Sequence, residues 1–148
     1  MLEIQEITTD KKRFLKLLLI GDEQEDMIDH YINRCRLFIG YINDIPVACC
    51  AITIETKQLV EIKNLAVLPE YRHRGIGRSM LEYSETLFTG MTFQLGTGET
   101  PSTLRFYLNC GYTYSHSIPD FFTTNYNHPI IEEGVILKDM IYLRKKTL

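Results

Sequence analysis

The chain has no tryptophan, only four cysteines and five prolines, and no long apolar run. Cys35, Cys49, Cys50 and Cys110 form no C-x-x-C pair and no Cys/His cluster at zinc spacing, so neither a disulfide framework nor a metal site is indicated. Cys49 and Cys50 are adjacent in a predicted strand, where neighbouring side chains point to opposite faces. All four are read as buried, reduced thiols. The apolar run Leu17 to Ile20 is far too short to cross a bilayer, and Met1 to Lys12 is too polar for a secretory signal. No membrane partner is expected, and a cytoplasmic location is the default. Net charge is −3, which disfavours nucleic acid as a partner. Two histidines that could meet across a hairpin, His116 and His128, lack a carboxylate to complete a metal site.

What is present suits one domain spanning residues 1–148. Hydrophobic residues make up 45% of the chain and charged residues 24%, ordinary values for a globular protein. A chain of this length buries ~70% of its unfolded surface. Residues 2–7 alternate weakly as a first strand. Phe14, Leu15, Leu17, Leu18 and Leu19 predict a helix with one wet face. Gly21 to Asp26 is an acidic break, and Met27, Ile28, Tyr31 and Ile32 fit a second short helix. Leu37, Ile39 and Tyr41 alternate up to a turn at Asn43-Asp44. Val47 to Ile54 is apolar on both faces, as in a central strand.

The next strand changes parity. Val60 and Ile62 are apolar at even positions, Leu65 and Val67 at odd ones. Either both faces are buried, or an extra residue near Lys63-Asn64 forms a β-bulge that turns both sets to one side. Ile76, Met80, Ser84 and Leu87 then form a helix face, and Gly90 suits a C-cap. Met91, Phe93 and Leu95 alternate as a strand. Thr100 and Pro101 read as N-cap and first residue of another helix, through Leu104, Tyr107 and Leu108 to Gly111. Tyr112 to Ile118 and Val135 to Leu143 are two further strands, joined by the long connection Pro119 to Gly134.

The segment Arg72-His73-Arg74-Gly75-Ile76-Gly77-Arg78-Ser79 lies between strand and helix. Its glycines let backbone N–H groups converge, and a helix start adds further free N–H groups with partial positive charge. That combination suits phosphate oxygens. It is not a Walker A loop, because G-x-x-x-x-G-K-[ST] is absent, and it lacks the third glycine of a dinucleotide fingerprint.

Three motifs in order carry a more specific signal. Asn64-Leu65-Ala66-Val67 with Pro69-x-Tyr71-Arg72, then Arg72-x-x-Gly75-x-Gly77, then Phe106-Tyr107-x-x-x-Gly111-Tyr112 resemble the GNAT acetyltransferase superfamily. The likeness is clear over about residues 35–115. It implies an α/β (α+β) fold: a mostly antiparallel sheet of six or seven strands, splayed at the fourth, with helices on both faces. It also implies acetyl-CoA as co-substrate, with no metal. The pyrophosphate would meet Arg72, His73, Arg74, Gly75, Ile76, Gly77, Arg78 and Ser79, with His73 the weakest candidate. The pantetheine arm would pair with Leu65, Ala66 and Val67, one of whose N–H groups could polarise the thioester carbonyl. Where the family often has asparagine, this chain has Glu99-Thr100-Pro101-Ser102, so the hydroxyls of Thr100 and Ser102 are the candidate replacements.

Tyr107 matches the tyrosine that protonates the leaving thiolate. Glu61 resembles the strand glutamate that serves some members as base; pairing with Lys63 is the alternative for it. Phe121, Phe122 and Tyr126 either wall the acceptor pocket or fill a small core of their own. Asp120 and the acidic run Asp22, Glu23, Glu25 and Asp26 could attract a cationic amine. The expected activity is direct transfer of acetyl to a primary amine of a small molecule. A protein N-terminal or lysine acetyltransferase and a non-catalytic CoA-binding module are alternatives, and an edge strand could support a homodimer.

Overall fold

The computed structural model describes residues 1–148. The apolar alternations build β1 (Leu2–Ile7), β2 (Arg36–Ile42), β3 (Ile45–Ile54), β4 (Leu59–Val67), β5 (Thr92–Thr97) and β6 (Thr113–Ile118), followed by β7 (Ile131–Glu132), β8 (Val135–Ile136) and β9 (Met140–Lys146). Between them lie α1 (Leu15–Gly21), α2 (Glu25–Asp29), α3 (Ile76–Leu87), α4 (Pro101–Asn109) and α5 (Phe121–Asn125). Seven strands form one sheet in the order β1-β2-β3-β4-β5-β9-β6, and β7 and β8 pair separately. Within the sheet β4 and β5 run parallel, and the other neighbours are antiparallel.

The sheet separates two apolar layers. On one face Leu17, Leu18 and Ile28 from α1 and α2 pack against Leu37, Ile39, Cys49, Ala51 and Ala66. On the other, Ile76, Met80 and Leu81 from α3 and Tyr107 from α4 pack against Phe38, Ala48, Cys50, Ile52, Val60 and Ile62. The adjacent Cys49 and Cys50 fall into opposite layers, as strand alternation requires. All four thiols are free and buried.

Several boundaries differ from the sequence expectation. Tyr31 and Ile32 are buried but lie in turns beyond α2. Within α3, Leu81 is buried while Leu87 is 40% exposed; the last turn of the helix has passed the sheet, and Phe88 fills the gap instead. The expected strand Val135–Leu143 is split in two. Glu133 and Gly134 both have positive φ, at 51° and 78°, which favours a tight reversal. That turn folds Val135–Ile136 back onto Ile131–Glu132 and delays β9 until Met140.

The parity change in β4 is a bulge. Ala51 opposes Asn64 and Ile52 opposes Ile62, leaving Lys63 unmatched. Val60 and Ile62, and beyond the bulge Leu65 and Val67, therefore all pack on the α3/α4 layer. Asn64 turns to the opposite layer, where it is buried. Its amide donates to the Leu18 carbonyl at 2.8 Å and to the Tyr31 hydroxyl at 3.0 Å. Gly21 makes room for it: a Cβ there would lie 2.1 Å from Asn64 Oδ1. Asn64→Leu is expected to destabilise the fold by about 1–3 kcal/mol, since buried polar groups lose their partner. Gly21→Ala disturbs the same contact, so the two changes combined will cost less than their sum. Urea midpoints at constant slope check both.

Candidate active site

β4 leaves β5 early. Their pairing runs from Leu59–Thr92 to Ile62–Leu95 and stops. Beyond it, Leu65, Ala66 and Val67 pair with β3 on one edge only, while β5 continues alongside β9 through Gly96 and Thr97. A wedge opens between the two strands. Along its β4 side, backbone groups that would have joined a sheet ladder face the opening.

The start of a helix meets this wedge. Leu68 turns through a 3₁₀ segment, Pro69–Tyr71, into the arginine-rich loop. His73 and Gly75 adopt left-handed backbone, with φ of 63° and 79°, and Gly75 immediately precedes α3. The first backbone bond of the helix runs from Ser79 N–H to Gly75 O at 3.0 Å. The amides of Ile76, Gly77 and Arg78 belong to the first turn, which has no intrahelical acceptors. At Gly77 a Cβ would come within 3.2 Å of Phe106 and 3.8 Å of Val67. The helix start is thereby packed against both α4 and the splayed end of β4.

The loop arginines are exposed. Arg72 Nε donates to Val67 O, and Arg74 Nη2 to Glu70 O, each at 3.2 Å. Arg74 also lies over the Tyr71 ring, 5.1 Å from its centroid. Arg78 is 3.9 Å from Glu82 one turn along α3. His73 is exposed.

Tyr107 projects from α4 into the α3/α4 layer, edge-on to Phe106 at 5.0 Å and to Tyr112 at 5.9 Å. Burial, then the nearby Cys50 and Cys110, pushes its phenol well above the ordinary range, so it stays protonated. At the start of α4, the Thr100 hydroxyl donates to Glu132 Oε1 at 3.0 Å, and the Ser102 hydroxyl donates to the Glu133 carboxylate. Ser102 is thus engaged by the β7–β8 hairpin.

Glu61 occupies the opposite face of β4 from Val60 and Ile62, and is 7% exposed. Lys63 Nζ lies 2.5 Å from its Oε2, and Gln94 Nε2 donates to its Oε1 at 2.7 Å. The Lys63 pairing foreseen as an alternative is therefore present. Gln94, and Arg144 behind it, carry no sequence motif; they adjoin Glu61 through strand register.

The connection after β6 builds its own small core. Phe122, 8% exposed, packs with Ile130 and Leu137, and Phe121, Tyr126 and Met140 border them. Phe122 stacks on Tyr126 with centroids 5.6 Å apart. Both rings also line a hollow of about 290 Å³ with Ile130, Ile136 and Leu137. The connection is tied to the α1–α2 loop: Tyr126 Oη donates to Asp22 Oδ1 at 2.8 Å, and Asn127 N–H to Gln24 Oε1 at 3.1 Å. Burial pushes the Asp22 carboxyl above its usual range, and the Tyr126 hydrogen bond partly offsets this. Asp120 accepts no such tie; its N–H donates to Asp139 Oδ1 at 2.9 Å. His116 stacks on Tyr142 at 4.6 Å, while His128 bonds to Asn127.

A splayed β4, a glycine-rich helix start at its end and a buried tyrosine on the following helix define an acyl-CoA-type transferase architecture. The family model described as an acetyltransferase (GNAT) domain matches residues 33–114. An uncharacterized N-acetyltransferase of Bacillus subtilis, YvbK, is 30% identical, the match covering 96% of this chain and 93% of that protein. A GNAT family acetyltransferase from Elizabethkingia anophelis, solved with acetyl-CoA bound, superposes with a TM-score of 0.90 at 26% identity, over 98% of this chain and 97% of that one. A Bacillus subtilis acetyltransferase solved in complex with CoA gives 0.87 at 26% identity over all of both chains. An IAA acetyltransferase from Bacillus cereus gives 0.90 at 25% identity over 99% of each. The chain belongs to the GNAT acetyltransferase family.

The Asp22–Tyr126 bond has a pH signature. Because the folded carboxyl titrates above its unfolded value, Asp22 favours folding most below the ordinary carboxylate range and loses that contribution as pH rises through its raised value. Tyr126→Phe deletes the donor that moderates this. It is expected to cost about 1 kcal/mol at neutral pH, shrinking as Asp22 becomes protonated. Thermal melts of both proteins across acidic and neutral pH measure the difference.

Proposed function

We propose that this protein transfers an acetyl group from acetyl-CoA directly to a primary amine of a small molecule, with residues 1–148 acting as one catalytic unit. One observation carries the reading most. A sheet normally keeps its two faces apart, but the wedge between β4 and β5 lets groups from both approach one ligand. Tyr107 comes from the α3/α4 side, and Glu61 from the other.

The residues present fit acetyl-CoA. The amides from Gly75 to Arg78 and the exposed guanidinium groups of Arg72, Arg74 and Arg78 suit a pyrophosphate; Ser79, whose own N–H is bonded to Gly75 O, and His73 stand beside them as lesser contacts. The free edge at Leu65, Ala66 and Val67 suits the amides of the pantetheine arm. Ser102 can contribute by exchanging its Glu133 partner for the ligand. When bound, acetyl-CoA supplies an activated thioester. Glu61 accepts the amine's proton, directly or through water, and Tyr107 donates its phenol proton to the departing sulfur. Much of the rate enhancement comes from holding the two substrates together.

Direct transfer is supported by the thiols. Burial pushes Cys50 up to about 12 and raises Cys110, so neither is a poised thiolate nucleophile. For the acceptor, Phe121, Phe122 and Tyr126 border the connection beside the α1–α2 loop, and Asp22 offers negative charge to an ammonium group. The acetyl-CoA and CoA bound in two similar acetyltransferase structures support the cofactor in this reading.

Calorimetry with CoA and a mass-detected screen of small amines test it. Binding of CoA with turnover of at least one amine is expected; no CoA affinity would end the assignment. Arg72→Ala combined with Arg74→Ala should weaken CoA binding about tenfold or more, since charge-assisted hydrogen bonds contribute ~1.5–3 kcal/mol each. Tyr107→Phe should lower kcat about 10²-fold or more while leaving CoA affinity close to that of the parent protein.

A further inference from the structure

Four strands carry one lateral row of polar side chains on the α1/α2 face. Thr53 opposes Glu61, Glu61 opposes Gln94, and Gln94 opposes Arg144. The last three are joined by hydrogen bonds: Arg144 Nε to Gln94 Oε1 at 2.8 Å, and Gln94 Nε2 to Glu61 Oε1 at 2.7 Å. A guanidinium has donors and no acceptor. It therefore fixes the Gln94 amide with its oxygen towards Arg144 and its NH₂ towards Glu61. Lys63, also purely a donor, takes the other carboxylate oxygen. Both carboxylate oxygens of Glu61 thus accept from donors, which suits the ionised form that a proton acceptor must start from.

We propose that Gln94 and Arg144 are positioning residues, which together hold Glu61 as the proton acceptor for the incoming amine. The inference rests on the assignment of Glu61 as base. The interposed amide has a specific use. A guanidinium touching Glu61 directly would favour the ionised form strongly and weaken its basicity. Gln94 passes on the orientation set by Arg144 without adding a second cation to Glu61, whose Oε2 already contacts the Lys63 ammonium.

Other groups face this carboxylate. Tyr142, on β9, has its phenol pushed up to about 12 by burial and then by the Glu61 and Glu55 charges; His116, from β6, stacks on it. Glu55, just past β3, is paired with Arg34 at 3.0 Å and accepts the Thr53 hydroxyl at 2.6 Å. These are unchanged in the variants that follow.

Gln94→Met preserves bulk and removes both hydrogen bonds. Arg144→Met removes the orienting donor, and Arg144→Lys retains one. The test is the pH dependence of kcat/KM, together with carbon NMR titration of the Glu61 carboxyl in protein without substrates. Gln94→Met and Arg144→Met should each move the acidic limb to higher pH, because a donor to the ionised form is lost, and lower kcat/KM about tenfold at neutral pH, because the carboxylate is no longer held in place. CoA affinity should hold. Arg144→Lys should restore most of the loss, and the double Met variant should be no worse than either single one. The Glu61 resonance should shift its titration in the same direction. A wild-type profile and resonance in both Met variants would overturn the proposal. If Glu61→Gln abolishes turnover while Gln94→Met keeps the parent's pH profile, the positioning role alone fails. Full turnover by Glu61→Gln overturns the base assignment and this inference with it.

Discussion

Lys63 is the residue on which the architecture turns, because it has no partner on β3. Strand alternation would otherwise place Glu61, Lys63, Leu65 and Val67 on one face. With one unmatched residue, Leu65 and Val67 cross to the α3/α4 layer, while Glu61 and Asn64 share the other side. The same irregularity increases local twist where β4 parts from β5. A single inserted position thus separates the apolar floor of the wedge from its polar wall. Asn64 anchors the displaced backbone to α1 from behind, with Gly21 supplying the clearance.

Much of this was legible in the residues. The parity switch between Ile62 and Leu65 located the bulge, and the two apolar faces of Val47 to Ile54 marked β3 as central. Gly75 and Gly77 located the loop, the first by its left-handed backbone and the second by its close approach to Phe106. Lateral neighbours were not legible. Gln94 and Arg144 are 50 residues apart in the hydrogen bond that joins them, and nothing local in either segment indicates pairing register. The tie from Tyr126 to Asp22 spans 104 residues and was hidden for the same reason. The aromatic run after Pro119 posed a different difficulty. Its composition suits a pocket wall and a miniature core equally, and Phe122 takes part in both.

The β7–β8 hairpin brings negative charge to the start of α4. Glu132 and Glu133 receive the hydroxyls of Thr100 and Ser102, and carboxylates near a helix N-terminus are electrostatically favourable. Thr100 makes no side-chain cap bond to its own helix; its hydroxyl is turned to the hairpin instead. The hairpin also couples α4, which carries Tyr107, to the segment that carries Phe122 and Tyr126.

β9 enters the sheet between β5 and β6, although β6 precedes it in the chain. Its exit is fastened too: the Thr147 hydroxyl donates to the carbonyls of Phe88 and Met91. During synthesis, β5 and β6 must therefore wait with unfilled edges until residues 140–146 have left the ribosome. The nascent protein carries these exposed strand margins from the emergence of β5 until the last strand arrives. Assembly of the sheet is in this respect a closing step, and the margins it covers are absent from the surface of the finished molecule.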